Sequence, residues 1–277
     1  MTTFLRSVSA EFAKIFTTRL WWILAIVLFC YIGLLAGGLG ALFAGIQTGV
    51  ISPDAVNAGG GAAGFGSIPP LIYSFASSVG YVFPVLLGAL ATTGEFRHQT
   101  LTPTFLATPR RGMVLGAKTV TLTLIGAGFG IVALAASVGI GGGVLSAFGV
   151  DALLQDPETW LMAGRTLLVM GLWAAVGVGL GALVPNQVAV IVIVLAFTQF
   201  VEPLLRVAAS FLEVTAKIGN FLPGAASDAL VGASIFTTAN PPGAAPLDWW
   251  QGGLVLLGYA LVATVIGFAV SWQKDVT

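Results

Sequence analysis

The stretch Leu20-Trp-Trp-Ile-Leu-Ala-Ile-Val-Leu-Phe-Cys-Tyr-Ile-Gly-Leu-Leu-Ala-Gly-Gly-Leu-Gly-Ala-Leu-Phe-Ala44 contains no charged residue. A membrane-crossing helix needs about 20 apolar residues, so this run is long enough to span a bilayer. Arg6, Lys14 and Arg19 precede it, as basic residues precede a signal sequence. The apolar core of a signal peptide stops at roughly 7–15 residues, so the run reads as a retained first span. Cys30 lies inside it as the single cysteine, and free cysteines behave as small packing residues. One thiol makes neither an intrachain disulfide nor a metal site.

The rest of the chain has the same character. Only 8% of the 277 residues are charged and 57% are hydrophobic, against roughly 25% charged residues in a soluble domain. Mean hydropathy is +0.99. A soluble fold of this size could not hide so much apolar surface. Further uncharged or nearly uncharged runs cover 71–93, 115–138, 160–183, 188–211 and 253–272. Only helices and closed barrels satisfy the backbone in lipid, and runs without period-two alternation are helices. The expectation is an all-α polytopic membrane protein, with one domain over 1–277 and six spans.

Charge sets the expected direction. With both termini inside, Arg6, Lys14, Arg19, Arg97, Arg110, Arg111, Lys118 and Lys274 are cytoplasmic, eight of eleven basic residues. Asp54, Asp151, Asp156, Glu158, Glu202, Glu213, Asp228 and Asp248 then fall on the outer side, eight of eleven acidic residues. Trp21, Trp22 and Trp272 mark the inner boundary and Trp160, Trp249 and Trp250 the outer one, where interfacial rings sit. Trp173 falls mid-span and reads as a packing residue.

Before the first span, Phe4, Leu5, Val8, Phe12, Ile15 and Phe16 recur at spacings of three and four, opposite Arg6, Glu11 and Lys14. This predicts an amphipathic helix over 1–19 lying on membrane lipids. Ala58–Ser67 is a glycine-rich run, but no Gly-Lys-Ser/Thr follows it, so it reads as a flexible loop and not as a phosphate cradle. Between spans five and six, 212–218 and 225–235 are too short to cross and apolar enough to dip into the membrane from outside. Asn240-Pro-Pro-Gly243 follows as a stiff connector. Gly33/Gly37, Gly126/Gly130 and Gly177/Gly181 permit close helix approach, at a frequency that chance would also give in so glycine-rich a chain.

Little catalytic chemistry is available. The chain has one histidine, no Cys/His cluster and no nucleophile elbow. Net charge is zero, with no basic stripe for nucleic acid. Glu202 and Arg206 are the charged pair on span five, four residues apart, toward its outer end. They read as a structural pair or an outer gate, with Pro203 breaking the helix between them. A proton-driven carrier places such groups nearer the midplane.

The remaining charge concentrates in the loop 94–114. Thr102-Pro103 supplies an N-cap and a proline at the first helical position, and Pro109 stops the helix. Phe105 and Leu106 would stand beside Arg110 and Arg111, an apolar knob in a basic rim. Such a loop either docks a protein or rests on the membrane.

Glu95-Phe-Arg-His-Gln-Thr-Leu-Thr-Pro-Thr-Phe-Leu-Ala-Thr-Pro-Arg-Arg-Gly112 resembles the loop after the second span of ABC-2 type ATP-binding-cassette transporter permeases, especially small actinobacterial ones. Gly181-Ala-Leu-Val-Pro-Asn-Gln187 and Phe221-Leu-Pro-Gly-Ala225 resemble the same family, and the likeness covers nearly the whole chain. Family members more often have glycine where this chain has Gln99. The resemblance implies an exporter permease of the bacterial plasma membrane, with six spans, an interfacial helix and a dipping outer hairpin over 212–250. It implies pairing with a second permease, identical or paralogous, and two cytoplasmic ATPase subunits that bind ATP and Mg2+. This chain has no Gly-x-x-x-x-Gly-Lys-Ser/Thr and would itself bind no cofactor. By the same resemblance Thr102–Thr108 is the coupling helix, and Glu95, Arg97, His98, Thr102, Phe105, Leu106, Arg110 and Arg111 form the ATPase-coupling set. Ser74, Phe75, Ser78, Thr198 and Gln199 would line the path, and a cavity with few charges suits lipophilic drugs, lipids or natural products.

Overall fold

The computed structural model describes residues 3–52, 67–209, 211, 213–234 and 247–273, and every regular element among them is helical. Six helical stretches are long and apolar enough to cross a membrane: Leu20–Gln47, Ile68–Arg97, Arg111–Ala147, Pro157–Leu183, Gln187–Ala209 and Trp249–Trp272. Each coincides with one expected segment. The third runs well past the expected end at 138, because α6 (Arg111–Ala136) continues through a π-helical turn, Ser137–Gly141, into α7 (Gly142–Ala147). In lipid the backbone must stay hydrogen-bonded, so a glycine run that would end a soluble helix need not end this one. The glycine-rich run 58–67, Asn240-Pro-Pro-Gly243 and Lys274 lie outside the described residues, except for Ser67.

The other elements are α1 (Thr3–Phe16), α2 (Leu20–Gln47), α3 (Ile68–Ser78), α4 (Val82–Arg97) and α5 (Leu101–Ala107). After α7 come α8 (Pro157–Leu183), α9 (Gln187–Ala196), α10 (Glu202–Ala209), α11 (Glu213–Gly219), α12 (Pro223–Val231) and α13 (Trp249–Gly267). The spans alternate in direction, so α1, α5 and the start of α9 share one end of the bundle. The hairpin α11–α12 shares the other with α7 and the start of α13.

Helix α8 is the hub, packed against α4, α6 and α13. Its apolar window is 72% buried, against 28%, 22% and 22% for the first, fifth and sixth spans. Close approach makes this possible. A Cβ at Gly177 of α8 would run into the backbone carbonyl of Val85, and one at Gly88 of α4 into that of Ala174. With no Cβ on either side, the two backbones come into contact. Gly126 and Gly130 face α8 from α6 in the same way, and Gly33 and Gly37 face Ile140. The spaced glycines therefore sit at helix contacts and are not chance pairs.

The second span is not one helix. It breaks at Val79–Tyr81, where a Cβ on Gly80 would meet the carbonyl of Ala76. Pro69 and Pro70 fall in the first turn of α3, where a missing N–H costs no hydrogen bond.

Three sequence expectations change. Helix α1 is amphipathic, with Phe4, Leu5 and Phe16 exposed, but Glu11 is turned into the bundle and buried. Trp272 is fully buried instead of interfacial: its ring meets Phe96 and Phe105 edge-on, and its Nε1–H donates to the Arg111 carbonyl (3.2 Å). Cys30 is exposed on α2, not packed. Trp173 is a packing residue as read, stacked on Tyr81 and donating to Ser227 Oγ.

The hairpin between spans five and six divides into unlike halves. Helix α11 leaves Val214 and Ile218 exposed, with Phe211 and Phe221 flanking it. Helix α12 is buried against α13, α8 and α3, and it ends at Gly232 in a left-handed conformation (φ +89°). Glycine takes that geometry without steric cost.

Candidate functional site

Two groups of polar residues lie at opposite ends of the bundle. At the α1 end, the chain leaves α4 through His98 and turns at Gln99, whose φ is +54°. The Thr100 N–H bonds back to the Glu95 carbonyl (3.0 Å), closing the turn. Helix α5 then starts at Leu101, with Thr100 as its N-cap, so Thr102 is inside the first turn and not the cap. Pro103 is accommodated there because first-turn N–H groups have no helical partner. Leu101 is buried and anchors the start of the helix.

The expected apolar knob is split. Phe105 turns inward, edge-on to Trp272 at 5.8 Å and beneath the Arg111 guanidinium at 5.0 Å. Leu106 points away and is 79% exposed. Arg111 also donates to the Gln273 carbonyl (2.8 Å), while Arg110, Thr102 and His98 are exposed. Arg97 donates to Gln187 Oε1 (2.9 Å), linking the end of the second span to the start of the fifth. A cavity of about 300 Å³ separates α5 from α1, lined by Ser7, Lys14, Pro103 and Thr108 among others.

Glu95 does not join that surface. It is buried in a four-charge cluster with Glu11, Lys118 and the half-exposed Lys14, tying α1 to α4 and α6. Lys118 Nζ donates to Glu11 Oε2 (2.5 Å) and Glu95 Oε1 (3.1 Å), and Lys14 Nζ to Glu11 Oε1 (2.6 Å) and Glu95 Oε1 (2.8 Å). The four charges sum to zero, which is what makes burial of Lys118, at 1% exposure, tolerable. Burial pushes the Glu11 carboxyl up, but Lys118 and Lys14 outweigh it and hold the group below its ordinary value. Burial likewise depresses Lys14, and Glu95 and Glu11 outweigh it to leave the ammonium above its ordinary value. Sequence reading missed this cluster because a helical wheel orders residues around α1 without saying which face meets protein.

At the far end, Glu202 and Arg206 pair as expected, with Arg206 Nη2 3.1 Å from Glu202 Oε1. A third charge completes them: Arg206 Nη1 donates to Asp228 Oδ2 on α12 at 2.6 Å. Glu202 Oε1 also accepts from the backbone N–H groups of Gly224 (2.6 Å) and Ala225 (3.2 Å). Leu222, the N-cap of α12, has no side-chain acceptor, so a carboxylate on the fifth span caps a helix in the hairpin. The fifth span reaches this point through a π-helical turn, Phe197–Val201, just before Pro203. A π turn absorbs the hydrogen bond that proline cannot make.

A cavity of about 140 Å³ opens beside these charges, lined by Ser78, Tyr81, Thr198, Gln199, Glu202 and Asp228 among others. Three of the residues expected to line a path, Ser78, Thr198 and Gln199, therefore meet the charged pair in one place. Ser74 and Phe75 do not: both are buried in the helix packing, and Ser74 Oγ donates to the Leu71 carbonyl. The sequence reading placed Asp228 on the outer side but missed its pairing with Arg206, since a separation of 22 positions carries no periodic signal. Among the described residues, no group of His, Cys, Asp and Glu is arranged to hold a metal ion. No protein-family model and no curated protein matches this chain.

Proposed function

We propose that this chain is the membrane-spanning permease subunit of an ATP-binding-cassette exporter. It moves a lipophilic drug, lipid or natural product outward, using ATP hydrolysed by a separate cytoplasmic subunit. The observation that carries the reading is α5, a seven-residue helix held between the second and third spans with Leu106 presented outward. A helix this short is not stable alone. Its anchoring through Leu101 and Phe105 gives it the stiffness a push would need. The four-charge cluster joins α1 to the same two spans, so a force on either helix reaches the bundle.

In this reading the α1 end is cytoplasmic, as the distribution of basic residues suggests. Two ATPase subunits bear on two permeases, identical or paralogous, and α1 rests on the lipid surface. Leu106 takes the contact role, while Phe105 with Trp272 and Arg111 supports it. Leu106→Asp is expected to leave the chain folded in membranes and to release a co-purifying soluble ATPase, because a buried unpaired charge at the contact is costly. Retention of the ATPase with normal substrate-stimulated hydrolysis would refute the assignment of α5.

A second reading, an ion-coupled carrier acting alone, is favoured by the buried charges beside the 140 Å³ cavity. Flux driven by an ion gradient in liposomes holding only this chain would select it. A membrane scaffold that recruits a soluble partner would instead bind through Leu106 without ATP-dependent flux.

A further inference from the structure

The two oxygens of Glu202 differ in their surroundings. Oε1 is saturated by Gly224, Ala225 and Arg206. Oε2 is buried and has no hydrogen-bond partner among the described residues, in a residue only 2% exposed that lines the far-end cavity. Glu202, Asp228 and Arg206 together carry a formal charge of −1. Tyr81 and Tyr259 are the other titratable residues facing Glu202 among those described, and phenols bring no positive charge. A buried, uncompensated carboxylate oxygen is costly unless a counter-charge reaches it.

The neutral groups in the wall are oriented to match. Ser78 commits its hydroxyl hydrogen to Asp228 Oδ1 (3.2 Å), and Thr198 commits its own to the Val194 carbonyl (2.8 Å). Gln199 Nε2 leans toward Thr198 Oγ1 (3.4 Å). Ser78 and Thr198 thus keep lone pairs and no uncommitted hydrogen, and the Gln199 amide adds a carbonyl oxygen beside its N–H groups, so the wall can turn oxygens toward a cation. A single water needs only about 10–15 Å³ of such space. The cavity therefore has room for an ion with part of its hydration shell, or for an ammonium head group on a short stem.

We propose that this cavity binds one singly charged cation, an alkali ion or the ammonium group of an amine, through Glu202 Oε2 and the oxygens of Ser78, Thr198 and Gln199. The site does not depend on the exporter reading, since binding requires neither ATP nor a partner. The test is thermal unfolding of the purified full chain in detergent, titrated with NaCl, KCl or methylammonium chloride at constant ionic strength. Bulky N-methylglucamine chloride makes up the balance, and the titrations are run at pH 8 and pH 6. The expected result is a saturable rise in Tm with at least one small cation, with alkali and methylammonium arms telling the two sources apart. Half-saturation should move up about tenfold or more in both Glu202→Gln and Thr198→Val. The second variant keeps the side-chain shape and the charges, so it decides the matter if the first folds poorly. Three results would overturn the proposal. They are no rise over N-methylglucamine, the same rise in all three proteins, or a rise produced by acidification alone, which would mean that a proton on Glu202 satisfies the site.

Discussion

Gln99 stands where a chain leaving α4 must reverse toward α5, with φ at +54°. L-residues with a Cβ pay about 1–2 kcal/mol for that conformation, whereas glycine takes it without steric cost. Gln99→Gly is expected to keep Tm close to wild type, because relief of the strain is offset by the roughly 0.5–1 kcal/mol entropy cost of glycine. Gln99→Val, branched at Cβ, should lose about 1–2 kcal/mol, seen as a lower Tm and faster proteolysis at the α4–α5 turn. Equal stabilities for the two variants would show that the turn relaxes freely. The sequence alone exposes the departure from glycine but not the sign of φ, which depends on where α5 has to go.

At the scale of elements, the hub position of α8 rests on surfaces stripped of side chains. Gly177→Val should push the α4 backbone away at Val85 and cost about 1–3 kcal/mol, as overpacking does. The same change at Gly164, where a Cβ meets nothing within 4 Å, should leave Tm almost unchanged. The six spans were legible because lipid demands long uninterrupted apolar runs, and 160–183 is such a run whatever it packs against. Which glycines carry contacts was not legible, because Gly177 and Gly164 look alike until a neighbouring backbone arrives. The same holds at the far end. Glu202 and Arg206 advertise each other by their four-residue spacing, whereas the capping of α12 by Glu202 depends on a hairpin folding back.

For the whole molecule, the cluster of Glu11, Lys14, Glu95 and Lys118 is what fastens α1 to the spans. Lys118→Met would leave two buried carboxylates facing one half-exposed lysine. We expect a loss of about 3–5 kcal/mol, the usual cost of breaking a buried ionic group, with α1 amides exchanging faster. The pH window follows from the shifted groups. Glu11 is held below its ordinary 4.5, so its stabilisation is complete above that value and is lost as pH falls through the depressed one. Lys14 is held above its ordinary 10.5, so its contribution is complete below that value and is lost only as pH rises through the raised one. Hydrogen exchange in α1 should therefore report constant docking between about pH 5 and pH 10, and loosening under stronger acid. A change in docking between pH 6 and pH 8 would contradict the cluster as drawn.

The cluster also has an order in time. A ribosome delivers Glu11 and Lys14 first, Glu95 next and Lys118 last, so until the third span has begun the group stands one positive charge short. The N-terminal helix can wait on the lipid surface meanwhile, since Phe4, Leu5 and Phe16 face outward, but it cannot be locked. Its locking thus waits until synthesis has passed Lys118, in the first turns of the third span.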